Sequence, residues 1–149
     1  ILCHTSLEVE RMATIDINYV GVLVAAIVGY AIGAFWYSPT LFGERWLKLM
    51  DFGWKKTAEM KKTVARGYVV TFIAMLLMSY VLAHFVDYAG AGTFALGMVA
   101  GFWIWLGFFV TTMIGSVFWE GKPFELYLIN IGHYLVALLL MGGILAVWG

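Results

Sequence analysis

Two polar side chains that could bind a ligand lie three residues apart in the last apolar run of the chain. Asn130 and His133 share one face of a helix at this spacing, in a run that we expect to begin at Leu126. At 1.5 Å per residue, His133 then lies roughly 10 Å inside the start of that helix. A histidine at this depth can bind an anionic head group, relay a proton or contact a ligand. The alternative is that both residues only form hydrogen bonds between helices.

More polar and aromatic residues are expected at the same depth. Residues 36–38 end the first apolar run, and Glu120 follows the third. Of the two carboxylates near the fourth run, Glu120 is the better functional candidate, because the helix dipole already explains Glu125 in the first turn. A surface pair between Glu120 and a neighbouring lysine is the alternative. The hypothetical ligand-binding set is Trp36, Tyr37, Ser38, Trp46, Glu120, Asn130 and His133.

No catalytic or metal site is indicated. The sequence contains no nucleophile elbow, phosphate-binding glycine loop, HExxH motif or pair of buried carboxylates, so we expect no enzymatic activity and no cofactor. The single cysteine, Cys3, excludes an intrachain disulfide, and no Cys or His cluster has the spacing of metal ligands. Nine basic residues balance nine acidic residues, so no basic field points to nucleic acid.

Four long apolar runs must position these side chains. Hydrophobic residues make up 63% of the chain and charged residues 12%, against about a quarter charged in an average soluble domain. Each run is long enough to cross ~30 Å of hydrocarbon, and none contains Lys, Arg, Asp or Glu. We therefore predict an all-α membrane protein, with one four-helix transmembrane domain over residues 12–149. The predicted spans are about 17–36, 67–86, 94–119 and 126–148.

The segment between the first two spans, 38–66, is expected at the cytoplasmic surface. Pro39 helps to end the first span, and apolar residues then recur at helical spacing, which predicts an amphipathic helix in the interface. Seven of the nine basic residues lie in this segment, and the positive-inside rule therefore places both termini outside the cytoplasm. The apolar face is expected to hold Phe42, Trp46, Leu49 and Met50, and the opposite face Gly43, Glu44, Arg45 and Lys48.

Two stripes of small residues are spaced for helix packing. They consist of Gly21, Ala25, Gly29 and Gly33 in the first span, and of Gly97, Gly101, Gly107, Thr111 and Gly115 in the third. Small residues let helix backbones approach closely in lipid. Each stripe serves either packing within one chain or contact between copies. We expect a homo-oligomer, because a thin four-helix bundle has limited room to bury both stripes.

The sequence also resembles a known family. The block WYSP-x-x-FG-x-x-W (Trp36 to Trp46), the later YVLAHF and WLGFF, and the end FWEGKPFELYLINIGHYLVALLLMGGIL are similar to the bacterial membrane proteins grouped as DUF1761, a family of unknown function. The resemblance runs from about Met12 to the C-terminus. It implies four helices in a bacterial inner membrane and a natural start at Met12, so residues 1–11 are expected to be a non-native or disordered extension. It implies no activity, cofactor or catalytic residue.

Three functions are compatible with these residues. The leading hypothesis is a non-enzymatic protein that holds a membrane lipid or another hydrophobic small molecule in a pocket of the cytoplasmic leaflet. The second is a structural subunit of a larger membrane complex. The third is a small transporter or channel, with His84 and His133 along its route. The spans contain no carboxylate, which counts against proton-coupled export.

Overall fold

The computed structural model describes residues 9–10, 15–50 and 57–149. Over these ranges the chain is helical and has no β-strand. Four helices are long and apolar enough to cross a membrane, which confirms the predicted fold class. The prediction of an extension over residues 1–11 lies outside the described residues, except at 9–10. The helices are α1 (Tyr19–Trp36), the short α2 (Gly43–Met50), α3 (Thr57–Tyr88), α4 (Phe94–Phe118) and α5 (Phe124–Trp148).

The helix boundaries differ from the predicted spans mainly at α3. This helix begins at Thr57, ten residues before the predicted second span. The sequence from Thr57 to Arg66 contains good helix formers and neither Gly nor Pro, so nothing ends the helix between the basic segment and the apolar one. The part that is apolar enough to span is Lys62–Tyr88. The basic residues Lys62 and Arg66 therefore lie in the first turns of the spanning part of α3.

The start of α1 and the end of α5 meet at one end of the bundle. The side-chain oxygen of Asn18 accepts hydrogen bonds from the backbone N–H groups of Val20 and Gly21, at 3.0 and 3.2 Å, which caps α1. Its Nδ2 group donates to the carbonyl of Trp148 at 2.9 Å. We call this the termini end. The opposite end, where α1 ends, α2 lies and α5 begins, is the α2 end.

The small-residue stripe of α1 packs inside the chain. Ala25 is fully buried, and a Cβ atom on Gly29 would lie 2.5 Å from Met141 Sδ and 2.9 Å from Met75 Sδ. A Cβ atom on Gly21 would lie 3.0 Å from the Cβ atom of Trp148. The stripe therefore seats α1 against α3 and α5 of the same chain.

The backbones of α4 and α5 touch through glycines. A Cβ atom on Gly97 would collide with the carbonyl oxygen of Gly142, and one on Gly142 would collide with the carbonyl oxygen of Gly97. In the same way, a Cβ atom on Gly101 would collide with the carbonyl oxygen of Leu138. Dispersion contacts between backbones replace the hydrophobic effect, which does not drive helix association in lipid.

Two of the glycines predicted to pack, Gly107 and Gly115, do not pack against another helix of the described chain. A Cβ atom on Gly107 would have nothing within 4 Å, and one on Gly115 would meet only the ring of Trp119 at 3.6 Å. Gly107 is exposed and lies in a π-helical stretch of α4, Trp105–Val110. The hydroxyl of Thr111 donates to the Gly107 carbonyl at 2.6 Å, which gives this carbonyl a partner where the regular helical pattern changes.

The outward faces of the spans are apolar. On α3, the side chains of Val69, Val70, Ile73 and Leu77 are 59–64% exposed. Such a continuous apolar surface is unusual on a soluble protein, whereas hydrocarbon solvates it without cost. The exposed faces are therefore consistent with contact with lipid.

We expect Gly97→Ala to lower the stability of the bundle by about 1–3 kcal/mol, the usual cost of overpacking, because the added methyl group collides with the Gly142 backbone. Gly107→Ala is the matched control, since it adds the same group to the same helix in open space. Thermal unfolding in detergent measures both. Equal melting temperatures for the two variants would contradict the described contact between α4 and α5.

Candidate functional site

The chain between α1 and α2 forms a tight turn. The hydroxyl of Ser38 donates to the Phe35 carbonyl at 2.6 Å, and the Ser38 carbonyl accepts the N–H of Gly43 at 3.0 Å. Gly43 is buried, and a Cβ atom there would collide with the carbonyl oxygen of Tyr37. The prediction that Gly43 shares the outer face of α2 with the charged residues is therefore wrong. The close approach of the turn backbone requires glycine at this position.

An ion pair fastens α2 to the start of α5. The Arg45 guanidinium donates two hydrogen bonds to the Glu125 carboxylate, from Nε to Oε1 at 2.5 Å and from the terminal Nη2 to Oε2 at 2.6 Å. This two-point geometry fixes orientation as well as distance. On the inner side of α2, the ring of Trp46 packs against Tyr37, with 5.5 Å between ring centroids. The helix is therefore held from both sides.

A cavity of about 680 Å³ lies at the α2 end, which we call the α2-end cavity. Four of the predicted ligand-binding residues line it, namely Tyr37, Trp46, Asn130 and His133. Its volume is in the range of about 300–1,000 Å³ that is typical of small-molecule sites. The other polar and aromatic lining residues are Tyr30, Tyr68, Thr71, Ser116, Lys122 and Tyr134. Four of the seven residues in the predicted ligand-binding set therefore share one cavity.

His133 differs from the other lining residues because it is a buried polar side chain for which the structure gives no hydrogen bond within the described residues. Only 6% of its surface is exposed, yet neither ring nitrogen has a hydrogen-bond partner among the residues that the structure describes. Aromatic rings surround it, with centroids at 4.8 Å for Tyr134, 5.3 Å for Tyr37 and 6.4 Å for Trp36. Gly33 makes room for the imidazole, since a Cβ atom there would lie 3.0 Å from Nε2. A buried polar group without a partner costs about 1–3 kcal/mol.

Asn130 connects two helices. Its side-chain oxygen accepts a hydrogen bond of 2.9 Å from the Tyr37 hydroxyl, so the alternative of interhelical hydrogen bonding holds for this residue. Burial raises the pKa of the Tyr37 phenol, with a further contribution from Tyr134, and the phenol therefore remains a donor. The bond uses the amide oxygen of Asn130. Its two Nδ2 hydrogens are left for a second acceptor.

Three predicted binding residues do not line the α2-end cavity. The indole of Trp36 donates to the Ile129 carbonyl at 3.0 Å, behind His133. Ser38 is used by the turn that precedes α2. Glu120 pairs with Lys122 at 2.6 Å, and both side chains are about half exposed. The alternative of a surface pair therefore describes Glu120 in the structure.

A smaller cavity, of about 220 Å³, lies at the termini end. Two carboxylates, Asp16 and Asp87, line it, and no Lys or Arg does. No group of three His, Cys, Asp or Glu side chains in the described part of the chain is placed to hold a metal ion. The α2-end cavity thus combines the larger volume with the buried unpartnered group.

The family model described as a protein of unknown function, DUF1761, matches residues 20–146. The chain belongs to this family. The match includes all four spanning helices except the first residue of α1 and the last two of α5, and it includes every lining residue of the α2-end cavity. Comparison with curated proteins and with solved structures finds no match. The cavity and its lining residues are therefore the basis on which we infer a function for this DUF1761 protein.

Tyr30 lines the cavity of this DUF1761 protein but is absent from the predicted ligand-binding set. Tyr30 and Tyr37 are seven residues apart, which is about two helical turns, so their common face was readable from the sequence. The Tyr30 hydroxyl also reaches the Tyr68 carbonyl of α3 at 3.4 Å. The pair of Arg45 with Glu125 had no signal in the sequence, because eighty residues separate the two.

We expect Arg45→Gln to loosen α2, because the two hydrogen bonds to Glu125 need the guanidinium geometry. Hydrogen exchange of the α2 backbone in detergent should become faster, while exchange in α4 stays unchanged. Lys48→Gln is the matched control, since it removes a charge from the same exposed helix without touching this pair. Similar α2 exchange in both variants would show that the ion pair does not hold the helix.

Proposed function

We propose that this DUF1761 protein binds a lipid or another hydrophobic small molecule in the α2-end cavity. The observation that carries the proposal is His133, which is buried in the cavity wall with both ring nitrogens unpartnered in the described chain. Protein interiors give buried polar atoms a partner with few exceptions. Neighbouring protein atoms cover both nitrogens, so a bound molecule that hydrogen-bonds with the imidazole supplies that partner by displacing one of the surrounding rings.

The rest of the lining supports an amphiphilic ligand. Apolar side chains, including Leu47, Met50, Met75 and Leu126, form much of the wall, and the polar groups converge around His133 and Asn130. A few placed polar groups in an otherwise apolar concavity are typical of small-molecule sites. The apolar wall would hold the body of the ligand, and the polar group would set its orientation.

The alternatives gain less support. A docking role for the α1 stripe is less favoured, because Gly29 packs against Met141 and Met75 of the same chain. A transport route through both histidines is also less favoured. His84 Nδ1 donates to the Tyr80 carbonyl one turn back, at 2.9 Å, so this histidine bonds to the backbone of its own helix.

We also propose that the protein resides in the inner membrane with the α2 end in the cytoplasm and both termini outside. The basic residues around α2 and the start of α3 support this orientation. We retain a homo-oligomer as a proposal, and the exposed face of α4 around Gly107 is the surface that supports it, since the α1 stripe is packed internally.

An alkaline phosphatase fusion at the C-terminus should be active and a green fluorescent protein fusion there should be dark, because the proposed orientation exports the C-terminus. Fusions placed after Met50 should show the opposite pattern. A fluorescent C-terminal fusion in intact cells would reverse the orientation and place the α2-end cavity in the outer leaflet.

Native mass spectrometry from nanodiscs tests the binding function directly. We expect a reproducible non-protein mass on the wild-type protein and its loss in the double variant Asn130→Leu with His133→Leu, because the variant removes the polar groups of the cavity. His84→Leu is the matched control, since it removes a histidine of α3 that does not line the α2-end cavity. Retention of the same mass by a folded double variant would refute this site. The same spectra give the number of chains in the complex.

A further inference from the structure

The chemistry around His133 narrows the class of ligand, and this step rests on the proposed function. We propose that the ligand is an uncharged lipid-soluble molecule with a planar, carbonyl-bearing head group, of the prenylated-quinone class. Its head lies against His133 and Asn130, and its apolar tail extends along the apolar wall. A phospholipid and an ionised fatty acid are then excluded as the preferred occupants.

The depth of His133 argues against a phospholipid. α5 begins at Phe124, and His133 lies nine residues further along, roughly 13 Å below the start of the helix. A phospholipid keeps its charged head group at the interface, at the level of Lys122. Its acyl chains would then contact His133 and Asn130 and would give them no hydrogen bond. A molecule that enters the cavity with its polar group leading gives both residues a hydrogen-bond partner.

The charge balance of the lining favours a neutral head group. Among the described lining residues Lys122 is the one with a fixed charge, and it is paired with Glu120 at 2.6 Å. It also lies at the interface rather than beside His133. An ionised group buried next to His133 would therefore have no opposite charge to offset its desolvation.

The available hydrogen bonds match a carbonyl group. A neutral imidazole offers one donor and one acceptor, and the Asn130 amide offers Nδ2 donors, since its oxygen is bonded to Tyr37. Asn130 and His133 lie about one turn apart on α5 and both line the cavity, so a single acceptor between them, such as a carbonyl oxygen, can bond to both. Aromatic side chains that can stack on a flat head group also line the cavity, namely Tyr30, Tyr37, Trp46, Tyr68 and Tyr134.

Equilibrium binding in nanodiscs separates these chemistries with three probes that each contain a ten-carbon chain. The probes are a decyl-substituted benzoquinone, decylbenzene and decanoate. We expect saturable binding of the quinone, with decylbenzene about tenfold weaker or more, because one lost hydrogen bond to a buried partner is worth about that factor. Decanoate should also bind more weakly than the quinone, because its charge is not offset.

Variants of His133 test whether this residue contributes a hydrogen bond to quinone binding. His133→Leu should weaken quinone binding about tenfold, whereas His133→Gln, which keeps a hydrogen-bonding group, should retain most of it. His84→Leu should leave the affinity unchanged. Equal affinities of the leucine and glutamine variants would overturn the assigned hydrogen bond even if one variant were less stable, because the comparison is between two folded variants.

Two outcomes distinguish this inference from the proposed function. Tight binding of decanoate, or retention of a phospholipid in the native spectra without quinone binding, overturns the head-group class and leaves the α2-end cavity as a binding site. Absence of saturable binding by all three probes, together with native spectra that contain no added mass, overturns both.

Discussion

Hydrocarbon offers no hydrogen bonds, so polar groups within the spans need partners inside the protein. The fully buried Ser79 donates to the Val22 carbonyl at 2.8 Å, and the indole of Trp105 donates to the Ile131 carbonyl at 2.7 Å. Both bonds join different spans, so satisfying the side chain also fixes the packing of the helices. His133 departs from this rule within the described chain. The proposed binding function follows from that departure.

The two ends of the bundle differ in how closely the helices approach each other. Toward the termini end, contacts such as Gly97 with Gly142 bring the backbones of α4 and α5 together, and the cavity there has a volume of only about 220 Å³. Toward the α2 end, large side chains such as Tyr30 and Tyr37 replace the small ones and line a cavity. The turn at Gly43 then returns the chain across this end as α2. Small residues toward one end of the spans therefore account for the close packing, and larger residues toward the other end account for the cavity.

The sequence predicted the height of each residue in the membrane better than its direction around the helix axis. Hydropathy located the four spans, and depth alone brought Asn130 and His133 to the level of Tyr37, where the structure has the α2-end cavity. Depth also selected Trp36 and Glu120, whose side chains point elsewhere, toward a carbonyl of α5 and toward a neighbouring lysine. Direction depends on how helices pack, and that depends on contacts between residues far apart in the chain.

The central claim is that a molecule other than the protein completes the hydrogen bonds of His133. A crystal structure grown from a lipid mesophase, with protein purified without removal of its bound lipids, tests it most directly. The account predicts non-protein density in the α2-end cavity, with an oxygen atom within about 3 Å of an imidazole nitrogen. A collapsed cavity in which His133 bonds to a side chain or carbonyl of its own chain would contradict it.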